Sequence, residues 1–144
     1  PPVLAHATLS ESLRWLAQSK HEQYGLRVSY QPVPGLDASS EKAKYFVFEA
    51  ARELLFNVVK HSGVTAASMT LEISDGLLRL SVDDGGQGCV LESLRERSPD
   101  GGMGLAMLAE RAAIMGGDVR FRSAPGAGFH VVLTIPVEVD EDSS

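Results

Sequence analysis

The chain is 144 residues long, enough for one domain with one core, and its 44% hydrophobic and 22% charged residues are ordinary for a soluble globular fold. The formal net charge is −6, but Glu138, Asp140, Glu141 and Asp142 supply four of those charges at the C-terminus. The body is therefore nearly balanced and lacks the basic footprint of a nucleic-acid binder. A single cysteine, Cys89, excludes an internal disulfide framework and favours a reducing, cytoplasmic setting. No apolar run is long enough to span a bilayer or to act as a signal peptide. The first residue is Pro1 rather than Met, as expected of a domain cut from a longer protein.

Periodicity and punctuation give the elements in chain order. Thr8 to Glu11 form a capping box, with Thr8 accepting a backbone N–H and Glu11 reaching back. The apolar face of Leu9, Leu13 and Leu16 then makes a helix that runs to Tyr24 and stops at Gly25, with Trp15 read as core. Leu26 to Tyr30 alternates as a short strand and ends in the Pro32, Pro34 and Gly35 turn cluster. Ser39 or Ser40 caps a long helix from Glu41 to His61, with Gly63 as its stop. Ala67, Met69, Leu71 and Ile73 alternate with polar residues, and Asp75-Gly76 signals a hairpin. The return strand sets Leu78, Leu80 and Val82 on one face; Asp84 shares their parity and points inward, where an unpaired carboxylate is costly.

Gly85, Gly86 and Gly88 follow, and Cys89 to Asp100 reads as a charged loop. Gly101, Gly102 and Gly104 open a helix whose apolar face is Leu105, Leu108, Ala109, Ala112 and Met115, ended by Gly116-Gly117. Asp118 to Ser123 and Phe129 to Ile135 are strands about a Pro125-Gly126 turn. Residues 138–144 form an acidic tail, expected to be disordered beyond a domain of residues 1–137. Two hairpins exclude an all-parallel doubly wound sheet. The order fits a two-layer α/β sandwich, with a mixed, largely antiparallel sheet of about five strands covered on one face by three helices.

The chemistry concentrates on the long helix. Glu53, Asn57 and the Lys60–His61 pair recur at intervals of four and then three to four residues and form one polar stripe among apolar neighbours, the pattern of a pocket wall. Asn57 has a carbonyl oxygen suited to Mg²⁺, and Glu53 can orient or deprotonate a nucleophile or hold a metal-bound water. Lys60 and His61 suit phosphate. Asp84 can accept a hydrogen bond from an exocyclic amine such as that of adenine. The glycines before Leu105 sit at a helix N-terminus, a ready anion site. Neither the Walker A pattern nor G-x-G-x-x-G is present. Arg95, Arg97 and Arg111 can meet phosphates, although solvated helix or loop faces are the commoner place for them, and Met103, Met107 and Met115 read as core and pocket lining.

In this order and spacing ELLFNVVKH, DGGQG, GGMGL and GAGFHVVLTIP resemble the boxes of the ATP-binding catalytic domain of two-component sensor histidine kinases. That domain belongs to the superfamily shared with gyrase B, Hsp90 and MutL. KHSG after Asn57 looks most like the nitrate-sensor and desaturase-sensor subgroup, whose partners are response regulators with helix-turn-helix output domains. The resemblance implies a Bergerat-type fold with ATP and Mg²⁺ as ligands. It implies Asn57 as the Mg²⁺ ligand, Lys60 and His61 as phosphate neighbours, and Asp84 with Gly86 and Gly88 as the adenine box. Gly102, Met103, Gly104 and Leu105 would lie under the phosphates, with Cys89 to Asp100 as the ATP lid. Gly85 stands where the family often has Asn. Phe129, after Gly126 and Gly128, stands where it often has Thr, which puts a hydroxyl-mediated adenine contact there in question.

The function so implied is a protein-histidine kinase catalytic domain donating the γ-phosphoryl group of ATP, with Glu53 assisting the accepting imidazole. In the family the acceptor lies within an acidic H-D or H-E motif on a separate dimerisation helix; none of His6, His21, His61 and His130 is read as that acceptor, so it is expected outside this chain. The expected parent is a homodimer, cytoplasmic at this domain and in some cases anchored in the inner membrane; the domain alone is a monomer. The competing readings are an ATP-hydrolysing switch of the gyrase or Hsp90 type and a non-catalytic nucleotide-binding module.

Overall fold

Eight elements alternate along the chain in a computed structural model that describes residues 6–38, 40–61, 65–86 and 104–137. They are α1 (Leu9–Tyr24), β1 (Arg27–Ser29), α2 (Glu41–His61), β2 (Ala66–Ser74), β3 (Leu77–Asp84), α3 (Leu105–Ile114), β4 (Asp118–Ser123) and β5 (Phe129–Pro136).

Local chemistry sets the ends. Thr8 Oγ1 accepts the Glu11 N–H at 3.2 Å, which is half of the expected capping box; among the described residues the Glu11 carboxylate makes no return bond. Gly25, at φ 72°, closes α1 by donating its N–H to the His21 carbonyl. Ser40, one of the two candidate caps for α2, accepts the Ala43 N–H on its Oγ at 3.0 Å, and Ser39 lies outside the described residues. Gly63 lies outside the described residues. Asp75 and Gly76 both have positive φ, 55° and 74°, as a two-residue hairpin between right-twisted strands requires.

The five strands form one sheet in the order β1-β2-β3-β5-β4. Only β1 and β2 are parallel, joined through α2; the other three pairings are antiparallel. One face of this mixed sheet is buried, by Ala67, Met69 and Leu71 on β2, Leu78, Leu80 and Val82 on β3, and Val131, Leu133 and Ile135 on β5. Leu13 and Leu16 of α1, Phe46, Ala50 and Leu54 of α2, and Leu108 and Ala112 of α3 complete the same core. The opposite face is polar, and across it His130 Nδ1 pairs with Asp83 Oδ1 at 2.8 Å.

Two side chains depart from expectation. Trp15 is 43% exposed rather than core, because α1 turns Leu9, Leu13 and Leu16 into the core and leaves Trp15 stacked on Phe48 of α2, centroids 6.4 Å apart. Ile73, past the last covered position of β2, is also exposed. Among the described residues no helix is long and apolar enough to cross a membrane.

Candidate functional site

Register and loop length bring the described members of the predicted site, Asp84, Asn57, Lys60 and Leu105, to one end of the sheet. Asp84 is the last residue of β3 and faces Ala67 on β2 and Phe129 on β5. Only residues 62–65 separate the end of α2 from the start of β2, so the last turns of α2, with Asn57 and Lys60, end near Asp84. The third helix arrives by the opposite route. It leads into β4 at Asp118, which pairs with Thr134, far along β5 from Phe129. Ten residues of α3 rise about 15 Å, nearly matching the roughly 17 Å of strand from Thr134 back to Phe129. Leu105 therefore starts α3 at the Asp84 end.

Asp84 is buried at 6% exposure, as its parity predicted. Its Oδ1 accepts the Gly86 N–H at 2.8 Å, closing an Asx turn. Asp84 makes no other side-chain hydrogen bond or ion pair among the described residues. A carboxylate has two oxygens and about four acceptor sites, so the turn uses a fraction of its capacity. Gly86 is buried beside it.

Gly128 belongs to the last of the four boxes, and its job depends on the fold. At φ 75° it sits where a Cβ would lie 2.3 Å from the Asp84 carbonyl oxygen and 3.2 Å from Gly85 Cα. Gly128 thus lets the β4–β5 turn close directly over the Asp84 turn. Gly126, at φ 78°, has nothing within 4 Å of its Cβ position. Gly128→Ala should cost about 1–3 kcal/mol in urea unfolding and displace Asp84, weakening nucleotide binding about tenfold. Gly126→Ala should cost only about 1 kcal/mol of backbone strain, with binding unchanged. Equal effects from the two would show that the close approach does not matter.

Along α2, Glu53, Asn57 and Lys60 are all half-buried, the exposure of a wall rather than a core or a solvated face. Arg52, next to Glu53, pairs outward with Glu49. Lys20 of α1 comes up against this helix with only 8% exposure. Burial, and then the Arg52 charge, push its ammonium below the usual lysine range, while Glu53 pulls it back up. At the start of α3, Gly104 has extended backbone and no side chain with which to cap. The first-turn N–H groups of α3, from Leu105 on, carry the positive end of the helix dipole toward the same end of the sheet.

One expected departure finds its place here, and one expectation changes. Phe129 stands opposite Asp84 and stacks on Phe121 with centroids 6.3 Å apart, so an aromatic surface replaces the hydroxyl at that position. Arg111 lies over the Phe46 ring of α2 at 5.4 Å instead of on a solvated face, tying α3 to α2. The side chain of His61, and Gly88, the lid Cys89 to Asp100, Gly102 and Met103, lie outside the described residues. A separate open groove of about 590 Å³, lined by Arg14, His21, Arg27 and Tyr30 among others, runs between α1 and β1 and holds none of the predicted site residues.

The donor set suits a magnesium–phosphate ligand. Among the described residues no three His, Cys, Asp or Glu side chains cluster as a protein cage for a cation. Mg²⁺ commonly keeps waters and binds through one or two protein oxygens plus substrate phosphates, which a single amide oxygen such as that of Asn57 fits.

Comparison with known proteins points the same way. A family model described as histidine kinase-, DNA gyrase B- and HSP90-like ATPase matches residues 43–139. The sensor histidine kinase NarS of Mycobacterium tuberculosis is 34% identical over 142 residues, covering 96% of this chain and 32% of NarS. The nitrate/nitrite sensor protein NarX of Escherichia coli is 29% identical over 111 residues, covering 77% of this chain and 18% of NarX. This chain thus spans about a third of the first relative's length and under a fifth of the second's. The crystal structure of the ATP binding domain of PrrB from M. tuberculosis superposes with a TM-score of 0.67 at 26% identity, covering 90% of this chain and 94% of that one.

Proposed function

Because the chain belongs to the histidine kinase-, DNA gyrase B- and HSP90-like ATPase family and is an ATP-binding catalytic domain of the sensor histidine kinase type, we propose that it presents the γ-phosphoryl group of Mg²⁺-ATP to a histidine on a dimerisation domain outside this chain. The observation that carries this reading is the convergence of the buried Asp84 turn, the half-buried stripe of α2 and the start of α3 at one end of the sheet.

Each end of the nucleotide has its own chemistry. Asp84 holds the Gly86 N–H with one oxygen and takes the adenine amino group with its remaining acceptor capacity. The Phe129–Phe121 stack borders that position with apolar surface. At the other end Lys60 and His61 meet the phosphates, together with the backbone N–H groups of Gly102, Met103, Gly104 and Leu105. Asn57 holds the magnesium ion, which when bound neutralises charge on the phosphates. Transfer forms an N–P bond to the acceptor imidazole and breaks the bond from the γ-phosphorus to the bridging β,γ-oxygen, leaving ADP. Such a reaction asks the protein mainly for positioning and charge neutralisation. Glu53, one turn before Asn57, orients the incoming imidazole.

The parent is a cytoplasmic or inner-membrane-anchored homodimer that relays phosphate to a response regulator with a helix-turn-helix output domain. Residues 1–137 are the domain, and residues 138–144 are its tail. The test is to mix this chain with the dimerisation fragment of its parent and γ-labelled ATP. Acid-labile phosphohistidine should appear on the fragment and none on this chain. His21, followed by Glu22, has the acidic neighbour of an acceptor but lies in the last turn of α1 within this domain, so His21→Ala should transfer normally. Steady phosphate release without the fragment, abolished by Glu53→Ala, would instead indicate a hydrolysing switch.

A further inference from the structure

Phe56, beside Asn57 in sequence and one turn before Lys60, has no role in the proposal above, yet its ring is the centre of a cluster that includes Lys60. The Lys60 ammonium lies 5.0 Å from the centroid of the Phe56 ring. Lys20, reaching over from α1, places its ammonium 5.5 Å from the same ring and 5.4 Å from the ring of Tyr24. The two rings are 6.0 Å apart and tilted by 39°. One aromatic pair, with a ring from each helix, therefore carries two ammonium groups.

The physics distinguishes the two cations. Both are drawn to the negative ring faces, and each repels the other. Lys20 is nearly buried and lies over both rings, whereas Lys60 lies over Phe56 and is half-exposed in the last turn of α2. Lys60 is thus the one poised to answer an anion at the end of α2. A lysine left in water surrenders much rotamer freedom when it grips a phosphate, and a ring that already restricts its swing removes part of that cost.

We propose that the Tyr24–Phe56 pair is a positioning platform for Lys60, with Phe56 holding its ammonium at the phosphate end of the site. This rests on the reading of Lys60 as a phosphate contact. The ring face, not bulk hydrophobicity, is the working part, so the platform answers to a test that simple packing would not satisfy.

The test measures ATP affinity of the 144-residue chain by calorimetric titration in a double-mutant cycle. Phe56→Leu should weaken ATP binding about threefold to fivefold, the size of one partly exposed cation–π contact. Phe56→Trp, which keeps a stronger ring face, should restore affinity to within about twofold. In a Lys60→Met background, Phe56→Leu should cause no further loss. An equal loss in that background, or a Trp variant as weak as the Leu variant, would overturn the platform while leaving Lys60 as a phosphate contact. Unchanged affinity in Lys60→Met alone would remove the phosphate reading itself, and this inference with it. Should Phe56→Leu unfold, Phe56→Met offers a second ringless side chain for the same cycle.

Discussion

Asp84→Asn should reduce ATP affinity about tenfold to a hundredfold with little change in melting temperature. Asn has the shape of Asp, but one of its two ends is a donor. The Gly86 N–H already occupies one oxygen of Asp84 at 2.8 Å, and the adenine amine is a second donor. Whichever way the amide is turned, one N–H faces another N–H. A buried hydrogen bond to a charged group contributes about 1.5–3 kcal/mol, and 1.4 kcal/mol is a factor of ten in affinity. Asp84→Ala should be worse in both respects, since it also leaves the buried Gly86 N–H without its acceptor. Calorimetry on the two variants, with thermal melts as controls, separates adenine recognition from turn capping. If Asp84→Asn bound ATP as the native chain does, the carboxylate would be only a turn cap and the adenine assignment would fall.

Asn57→Ala should lower phosphoryl transfer to the dimerisation fragment about a hundredfold or more, because several kcal/mol of charge neutralisation depend on a correctly held cation. The fold should not suffer. Asn57 is half-buried inside α2, and Ala has the higher helix propensity by a few tenths of a kcal/mol. The informative measurement is ATP affinity with and without EDTA. In the native chain chelation should weaken binding, whereas in Asn57→Ala the two values should coincide. Asn57→Asp, which keeps an oxygen ligand, should retain part of the magnesium response. A variant that stays fully EDTA-sensitive would move the metal contact to another residue.

The features legible in the chain are those whose cause lies within a few residues. Asp75-Gly76 announces its hairpin because two adjacent positive φ angles favour those residue types. The inward aim of Asp84 follows from counting by twos from Leu78, since alternation along a strand needs no knowledge of its partners. The spacing of Glu53, Asn57 and Lys60 sets one stripe on any helix, and Ser40 was one of two residues able to cap it.

What stayed hidden depends on contacts between elements distant in sequence. Trp15 looked like core because an aromatic on an amphipathic helix usually is. Its exposure was decided by the roll of α1 against α2, which sends the leucines down and leaves the indole on Phe48. Arg111 over Phe46, and the two lysines on the Tyr24–Phe56 pair, likewise depend on how neighbouring helices are set side by side.

The sequence by itself determined the helices and strands, the inward carboxylate, the polar stripe and, through four boxes in register, the family resemblance. Each is written in local spacing, where steric and hydrogen-bond preferences act on neighbouring residues. Only the tertiary structure decided that β5 inserts between β3 and β4, bringing Phe129 opposite Asp84 and Gly128 onto its carbonyl. Only it could set the start of α3 and the end of α2 at the same edge of the core. Those placements come from burying one face of a sheet under three helices, a balance of packing spread over the whole chain.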